Sequence, residues 1–479
     1  MVTRMTCGAC HAVLRVKGAT AGARGNCPNC RAPVEVPGAS APPVDAEAPA
    51  PSELTGGTGQ APLMRDILQG FRGDIVPVRR TATYHVTALV VAAAVLLLPT
   101  IYLALIGAVA VLLFLHVTMS LGAVAGTHSL VALVLFYVGP LVAGAVLLFF
   151  LVKPLFARRS RARKLRTLEF GQEPLLFALV TRVARAVGAP EPKRINVDCQ
   201  VNASAGFGGW FGVLFGGDLV LTVGLPFCGG LSVQQFAGVL AHELGHFSQG
   251  AGMRLSCVVR SVNGWFVRVV YERDDWDEAL ANGIEEGGWL SLLLLLAALC
   301  VWLTRGILWL LMVAGHAASG FLLRQMEYDA DRYEVRLAGA AAFEETSRRL
   351  LRLNLAAGTA YALAAAEWGR AGRLPDDLSA LVAAVADSLP PDEVRKAERV
   401  AEKEQTGVFD THPSLSDRLA SARRDGATGV FHMGGPAVLL FRDFAGLSRA
   451  ATRDFFRAVL GKRARRATLV SPAELLGRG

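Results

Sequence analysis

Residues 239–246 read Val239-Leu-Ala-His-Glu-Leu-Gly-His246, and this stretch contains the pattern H-E-x-x-H. Ser232 with Gln235 three residues on predicts a capped helix start. Phe236, Val239, Leu240 and Phe247 mark the apolar face of the helix. Two histidines at i and i+4 lie on one helix face about a turn apart, so both imidazoles can reach one zinc ion. Glu243 sits beside that face, where it can take a proton from a water on the metal. Zinc lowers the pKa of such a water toward ~7, which makes hydroxide available near neutral pH.

A catalytic zinc needs a third protein ligand and one open position. Glu327-Tyr-Asp-Ala-Asp331 carries two acids at i and i+4, stacked on one face. One can bind the metal, and the other can hold a ligand imidazole by its second ring nitrogen. The stretch follows directly on an apolar block, 289–323, which Arg305 interrupts. His242 and Glu327 must meet on one side of any membrane. The block is therefore expected to cross an even number of times, as a short hairpin broken near Arg305, the preferred reading, or else to form one long helix that only skirts the bilayer.

Apolar residues make up 52% of the 479-residue chain, and they concentrate in long blocks. Residues 84–118 are almost wholly apolar, with Pro99 as a possible kink, and a second block runs from Leu130 to Phe156. About 20 such residues suffice to span a bilayer, so the two read as a transmembrane hairpin. Arg72, Arg79 and Arg80 precede it, and Arg158, Arg159, Arg161, Arg163, Lys164 and Arg166 follow it. The turn Ser120 to Ser129 has neither Lys nor Arg, which puts both ends in the cytoplasm. The net charge of +9 is thus read as membrane flanking, and no nucleic-acid partner is expected. Between these blocks and the H-E-x-x-H helix, a helix is expected over Leu175 to Val187, ending at Gly188. Two extended runs, around Arg194 to Ala203 and Asp218 to Val223, predict a β-hairpin or small sheet about a glycine-rich bend.

The amino end reads differently. Cys7-Gly-Ala-Cys10 and Cys27-Pro-Asn-Cys30 form two C-x-x-C pairs, a zinc-ribbon pattern. Four thiolates close a tetrahedral site, so this second zinc would be structural. Cys199, Cys228, Cys257 and Cys300 read as small buried residues. No secretory signal precedes the ribbon. The expected division is a ribbon at 1–36, a flexible linker at 37–78, the transmembrane hairpin at 79–156, a metallopeptidase domain at 157–430 with a membrane-embedded insertion near 289–323, and a basic helical extension at 431–479. The fold class is mainly α: membrane helices plus a helical zincin-type domain with a small sheet edging the cleft.

Four stretches together resemble the HtpX-type and CaaX-prenyl-protease-type membrane zinc metallopeptidases. They are Asn202-Ala-Ser-Ala-Gly-Phe, Val239–His246, Glu327-Tyr-Asp-Ala-Asp-Arg332, and Thr411-His412-Pro413 followed by Asp417-Arg418-Leu419. The resemblance implies that Glu327 is the third zinc ligand and that Asp331 stands behind a ligand imidazole. It also implies that the Asn202-Ala203 strand edges the cleft and pairs with an extended substrate. CaaX enzymes enclose their site in a large helical chamber. This chain has too few spans for that, so an HtpX-like role on membrane or misfolded proteins fits better. That role places the protein in a bacterial inner membrane, with the bilayer and protein or peptide substrates as partners. Pro413 is a good first helical residue, which would aim His412 from a helix N-terminus as a donor to the developing oxyanion. Arg418 would bind the substrate backbone or anchor the cleft wall. The alternative reading is a non-catalytic membrane adaptor with structural metal sites and a ribbon that recruits a partner. Glu243 speaks against it, because a structural site has no use for a base beside its ligands.

Overall fold

The computed structural model of the chain describes residues 2–6, 13–17, 24–26, 33–35, 60–78, 81–124, 129–156, 165–207, 218–249, 251–273, 280, 282–284, 291–407 and 410–477. The chain divides into two compact units, Met1–Ala61 and Pro62–Gly479. In the first, β1 (Val2–Thr6) pairs antiparallel with β2 (Val13–Lys17), and β3 (Arg24–Asn26) with β4 (Pro33–Glu35). The ribbon cysteines Cys7, Cys10, Cys27 and Cys30, most of the expected linker, the basic run at 158–164 and the glycine-rich bend at 208–217 lie outside the described residues.

The second unit is mostly helical. It opens with α1 (Gln60–Gln69) and α2 (Ala82–Val124), which runs unbroken through Pro99. The returning arm consists of α3 (Leu130–Leu133), a π-helical turn at Val134–Val138 and α4 (Gly139–Val152). Three described helical runs are long and apolar enough to cross a membrane: Ala82–Ser120, Leu130–Phe156 and Leu293–Ala338. Their outward faces carry large apolar side chains, among them Leu97, Phe114, Phe136 and Trp302, each more than half exposed. Water penalises so continuous an apolar surface, whereas lipid tails do not.

A small sheet precedes the key helix. Its order is β5 (Arg166–Leu168), β6 (Arg194–Asp198), β8 (Leu219–Gly224), β7 (Ala203–Phe207). Only the β6–β8 pairing is parallel; α5 (Pro174–Val187) lies between β5 and β6 and ends at left-handed Gly188. β7 therefore stands at the sheet edge. After α6 (Leu225–Gly230) comes α7 (Val233–Gly245), with both hydrogen bonds of the Ser232–Gln235 capping box in place. The next two helices are α8 (Ala251–Tyr271) and α9 (Ser291–Ala338).

The hairpin expected near Arg305 is not there: α9 is one continuous 48-residue helix through that position. The packing explains why no fold-back is needed. Ala88–Val95 of α2 cluster with Val259 and with Leu322–Met326, while Tyr102 clusters with Phe266, Val269, Leu308 and Met312. Hence α8 runs alongside α2 away from Glu327, and α9 runs back toward it. α8 supplies the outward pass that the sequence reading had assigned to the first half of a hairpin. It was overlooked because Arg254, Arg260 and Arg268 make it too polar to read as a partner of membrane helices.

The chain continues through α10 (Ala340–Ala371), α11 (Leu378–Ser388), α12 (Pro391–Lys403), α13 (Leu415–Asp425) and α14 (Phe444–Leu460). The segment beyond 430 packs into the same unit. Phe431 is fully buried against Phe71, and β10 (Thr468–Val470) pairs with β9 (Arg373–Pro375).

Gly224 closes the sheet against the strand edge: its N–H donates to the Asn202 carbonyl at 2.8 Å. A Cβ there would fall 1.7 Å from the Gln200 carbonyl oxygen, so backbone has to move. Gly224→Ala should destabilise the protein by about 1–3 kcal/mol. Gly206→Ala, whose Cβ meets nothing within 4 Å, should stay within about 0.5 kcal/mol of wild type. Thermal unfolding of the two variants in detergent makes the comparison.

Candidate metal centre

α7 and the last third of α9 cross in close contact. A Cβ at Gly245 would sit 2.9 Å from the Tyr333 ring, so the residue between Leu244 and His246 has to be this small. The approach sets Glu327 opposite the two histidines. Their rings stand 5.0 Å apart and perpendicular. His242 Nε2 lies 3.5 Å from Glu327 Oε2, and His246 Nε2 lies 3.7 Å from Glu327 Oε1. All three groups can place a ligand atom within 4.8 Å of the others. Donors bound at zinc-like lengths of about 2.0–2.1 Å in a tetrahedron stand about 3.3 Å apart, so the arrangement suits such an ion. The buried Nδ1 atom of His246 has no hydrogen-bond partner among the described residues.

Behind the histidines lies a second row of charge. His242 Nδ1 is 3.0 Å from Asp331 Oδ1, though off the line of a straight hydrogen bond, and 3.8 Å from Glu334 Oε2. Arg418 grips both oxygens of Asp331, with Nε–Oδ2 at 2.9 Å and Nη2–Oδ1 at 2.6 Å. Its guanidinium also lies over the Phe343 ring. The fork holds Asp331 in place with one bond to each oxygen, and the same carboxylate stands behind His242, where it can orient the ring. Burial works against a charge on His242, but the carboxylates of Asp331 and Glu327 beside it outweigh this and hold the imidazole well above its ordinary pKa. His246 is pushed down to about 3 by burial and by the charge of His242. Carboxylates gathered in this way favour a positive charge between them, and His246 is held toward its neutral form. A divalent cation meets both conditions.

Glu243 is half-buried beside the ligands, and its carboxylate accepts a hydrogen bond from the Ala205 backbone N–H. Burial, and then the nearby Glu327, push its pKa up; His242 opposes this. It therefore takes up a proton more readily than an ordinary glutamate. His412 reaches over the open side, 64% exposed, with Nδ1 3.3 Å from Glu327 Oε2. α13 begins at Leu415 with Ser414 as its cap, so Pro413 precedes the helix rather than opening it, as had been expected.

These groups line a cleft of about 490 Å³. Its other walls are Ser204–Phe207 of β7 and a face of α8. The structure thus brings His242, Glu243, His246, Glu327 and His412 together, with Asp331 behind. It does not bring Asn202 or Arg418 to the cleft. Asn202 is spent on Gly224, Ala203 is buried, and Arg418 is spent on Asp331. Arg260 had gone unnoticed, although its Nη2 lies 3.0 Å from Glu327 Oε1. The signal for it was a stripe of Cys257, Arg260, Ser261, Gly264 and Arg268 on one face of a helix whose other face carries Val259, Val262, Phe266 and Val269.

Residues 172–425, a little over half the chain, match Peptidase family M48. The protein belongs to that family and is by membership a metallopeptidase. No curated protein and no solved structure matches the chain.

Removing the fork on Asp331 should loosen the metal. Arg418→Ala leaves a buried carboxylate unpaired behind His242, and metal affinity should fall about 10–100-fold. Chelator competition measures this, and Arg418→Lys should recover part of the loss.

Proposed function

We propose that the protein is a membrane-anchored, zinc-dependent endopeptidase of the HtpX-like kind, acting on membrane or misfolded proteins. The observation that carries this reading is the convergence of His242, His246 and Glu327 on one point with Glu243 beside them. Two neutral-nitrogen donors and a carboxylate suit zinc, and three protein ligands leave one position open. Zinc, when bound, polarises a carbonyl and lowers the pKa of water. Glu243 takes the proton from the attacking water and passes it to the leaving amine. The edge of β7 offers unpaired backbone groups to an extended substrate, and Ala205 ties that edge to Glu243. Attack builds negative charge on the carbonyl oxygen, and His412 faces the open side as its donor. Asp331 and Arg418 keep His242 aimed.

The remaining parts of the reading concern the membrane and the amino end. The site lies on the cytoplasmic face of a bacterial inner membrane, with the arginines around α2 on the same side. Ala88–Val95 of α2 pack near Leu322–Met326 and Tyr102 packs near Leu308 and Met312, so α2 runs away from Glu327, which supports this arrangement. Cys7, Cys10, Cys27 and Cys30 hold a second, structural zinc. In sequence, each C-x-x-C pair falls between the two partners of a strand pair, β1–β2 and β3–β4.

Glu243→Gln should keep metal and fold and lose about 10²–10⁴-fold of its activity on casein. Near-native cleavage by the purified variant would take the proton-shuttle role from Glu243. His412→Ala should retain stoichiometric metal and lower kcat more than it raises KM, by roughly 10²–10³-fold. Steady-state kinetics on a fluorogenic peptide, paired with metal analysis, reads both: lost metal would make His412 a ligand or structural residue.

A further inference from the structure

The cleft does not end at the metal ligands. It continues along α8, where Cys257, Arg260, Ser261, Gly264 and Arg268 form its wall. Their spacing of three, one, three and four residues puts them on one helix face. The opposite face is buried: Val259 packs with α2 and α9 near Leu322, and Phe266 and Val269 pack with Tyr102, Leu308 and Met312. α8 is thus wedged against two of the helices apolar enough to cross a membrane. An arginine turned toward hydrocarbon costs at least ~2.5 kcal/mol, and such residues in membrane bundles generally face a cavity or pathway. Arg268 follows that rule by facing the cleft. It has no ion pair among the described residues, whereas Arg260 is engaged by Glu327.

Distance gives the stripe a meaning. Arg260 lies beside the metal ligands, and Arg268 is eight residues on, about 12 Å along the helix. An extended peptide advances about 3.3 Å per residue, so that length equals three to four substrate residues. The facing wall, Ser204–Phe207, is the sheet edge on which such a peptide would lie. A guanidinium in surroundings of low dielectric pairs best with a carboxylate, through two parallel hydrogen bonds.

We propose that Arg268 anchors an anionic subsite that binds a substrate carboxylate three to four residues from the scissile bond. Ser261 and Gly264 form the floor between that carboxylate and the metal. The proposal rests on the peptidase reading and assigns it a substrate class: peptides with an acidic side chain or a free carboxyl end at that distance.

The test uses full-length, zinc-loaded protein in detergent and a peptide whose cut has been mapped by mass spectrometry. Three versions are compared: amidated and neutral, amidated with Glu three or four residues from the cut on either side, and neutral with a free carboxyl end at that distance. At least one carboxylate version should be favoured about tenfold in kcat/KM, as for a charge-assisted hydrogen bond. Which version gains distinguishes side chain from chain end. Arg268→Gln should bring the ratio close to one, and Arg268→Lys should keep most of it. No preference, or an equal preference in Arg268→Gln, overturns the subsite. Binding of the same peptides to Glu243→Gln, followed by fluorescence anisotropy, needs no turnover. There the carboxylate version should bind about tenfold tighter, and the double variant Glu243→Gln/Arg268→Gln should lose that difference. If no peptide is cut but this binding difference holds, the peptidase reading falls and the subsite stands. Equal binding of all versions removes the subsite whatever is cleaved.

Discussion

The contact between α7 and the end of α9 is the constraint from which the rest of the site follows. Two helices can approach this closely only where one of them presents almost no side chain, and Gly245 supplies that surface to Tyr333. The approach sets the carboxylate of Glu327 within 3.7 Å of both imidazoles. Had the helices stood one side chain farther apart, the three donors could not share one ion. The capping box of α7 and its almost wholly buried surface fix the other half of the geometry. The histidines therefore project from a rigid element rather than from a loop.

Charge is arranged in rows around that contact. The row nearest the cleft holds two imidazoles, Glu243 and Glu327. The row behind it holds buried Asp331 and Glu334, with the half-buried Arg418 as counter-charge. Carboxylates buried in such number are costly without positive partners. Arg418 offsets Asp331 from behind, and a metal ion offsets the front. The same arrangement sets the two histidines apart: the carboxylates around His242 hold its pKa up, whereas burial, and then the charge of His242, push that of His246 down.

α8 links this centre to the helices that are apolar enough to lie in lipid. One of its faces is packed with Phe266 and Val269; the other carries arginines along the cleft. A helix of that character serves two environments at once. It closes the bundle on one side and keeps a polar path open on the other. Its outward pass also lets α9 return as a single helix, so no break is needed near Arg305.

Much of this could be read from local patterns. The i, i+4 spacing places His242 and His246 on one helix face because a helix rises about 1.5 Å and turns about 100° per residue wherever it occurs. The Ser232–Gln235 cap, the stop at Gly188 and the lengths of the apolar runs are local in the same way. The spacing of Glu327 and Asp331 showed that one acid could bind and the other support, but not which. That choice depends on how α9 is rotated against α7, which no residue within either helix specifies. The partners that complete the site are farther apart still: Arg260 meets Glu327 across 67 residues and Arg418 meets Asp331 across 87. Arg418 read from sequence as a group for the substrate or the cleft wall, and Arg260 was not singled out, because a cation's partner depends on which carboxylate the packing leaves within reach. Short-range periodicity therefore settled the elements and placed the two histidines on one face, and helix crossing brought Glu327 opposite them, Asp331 behind, and set the course of the cleft.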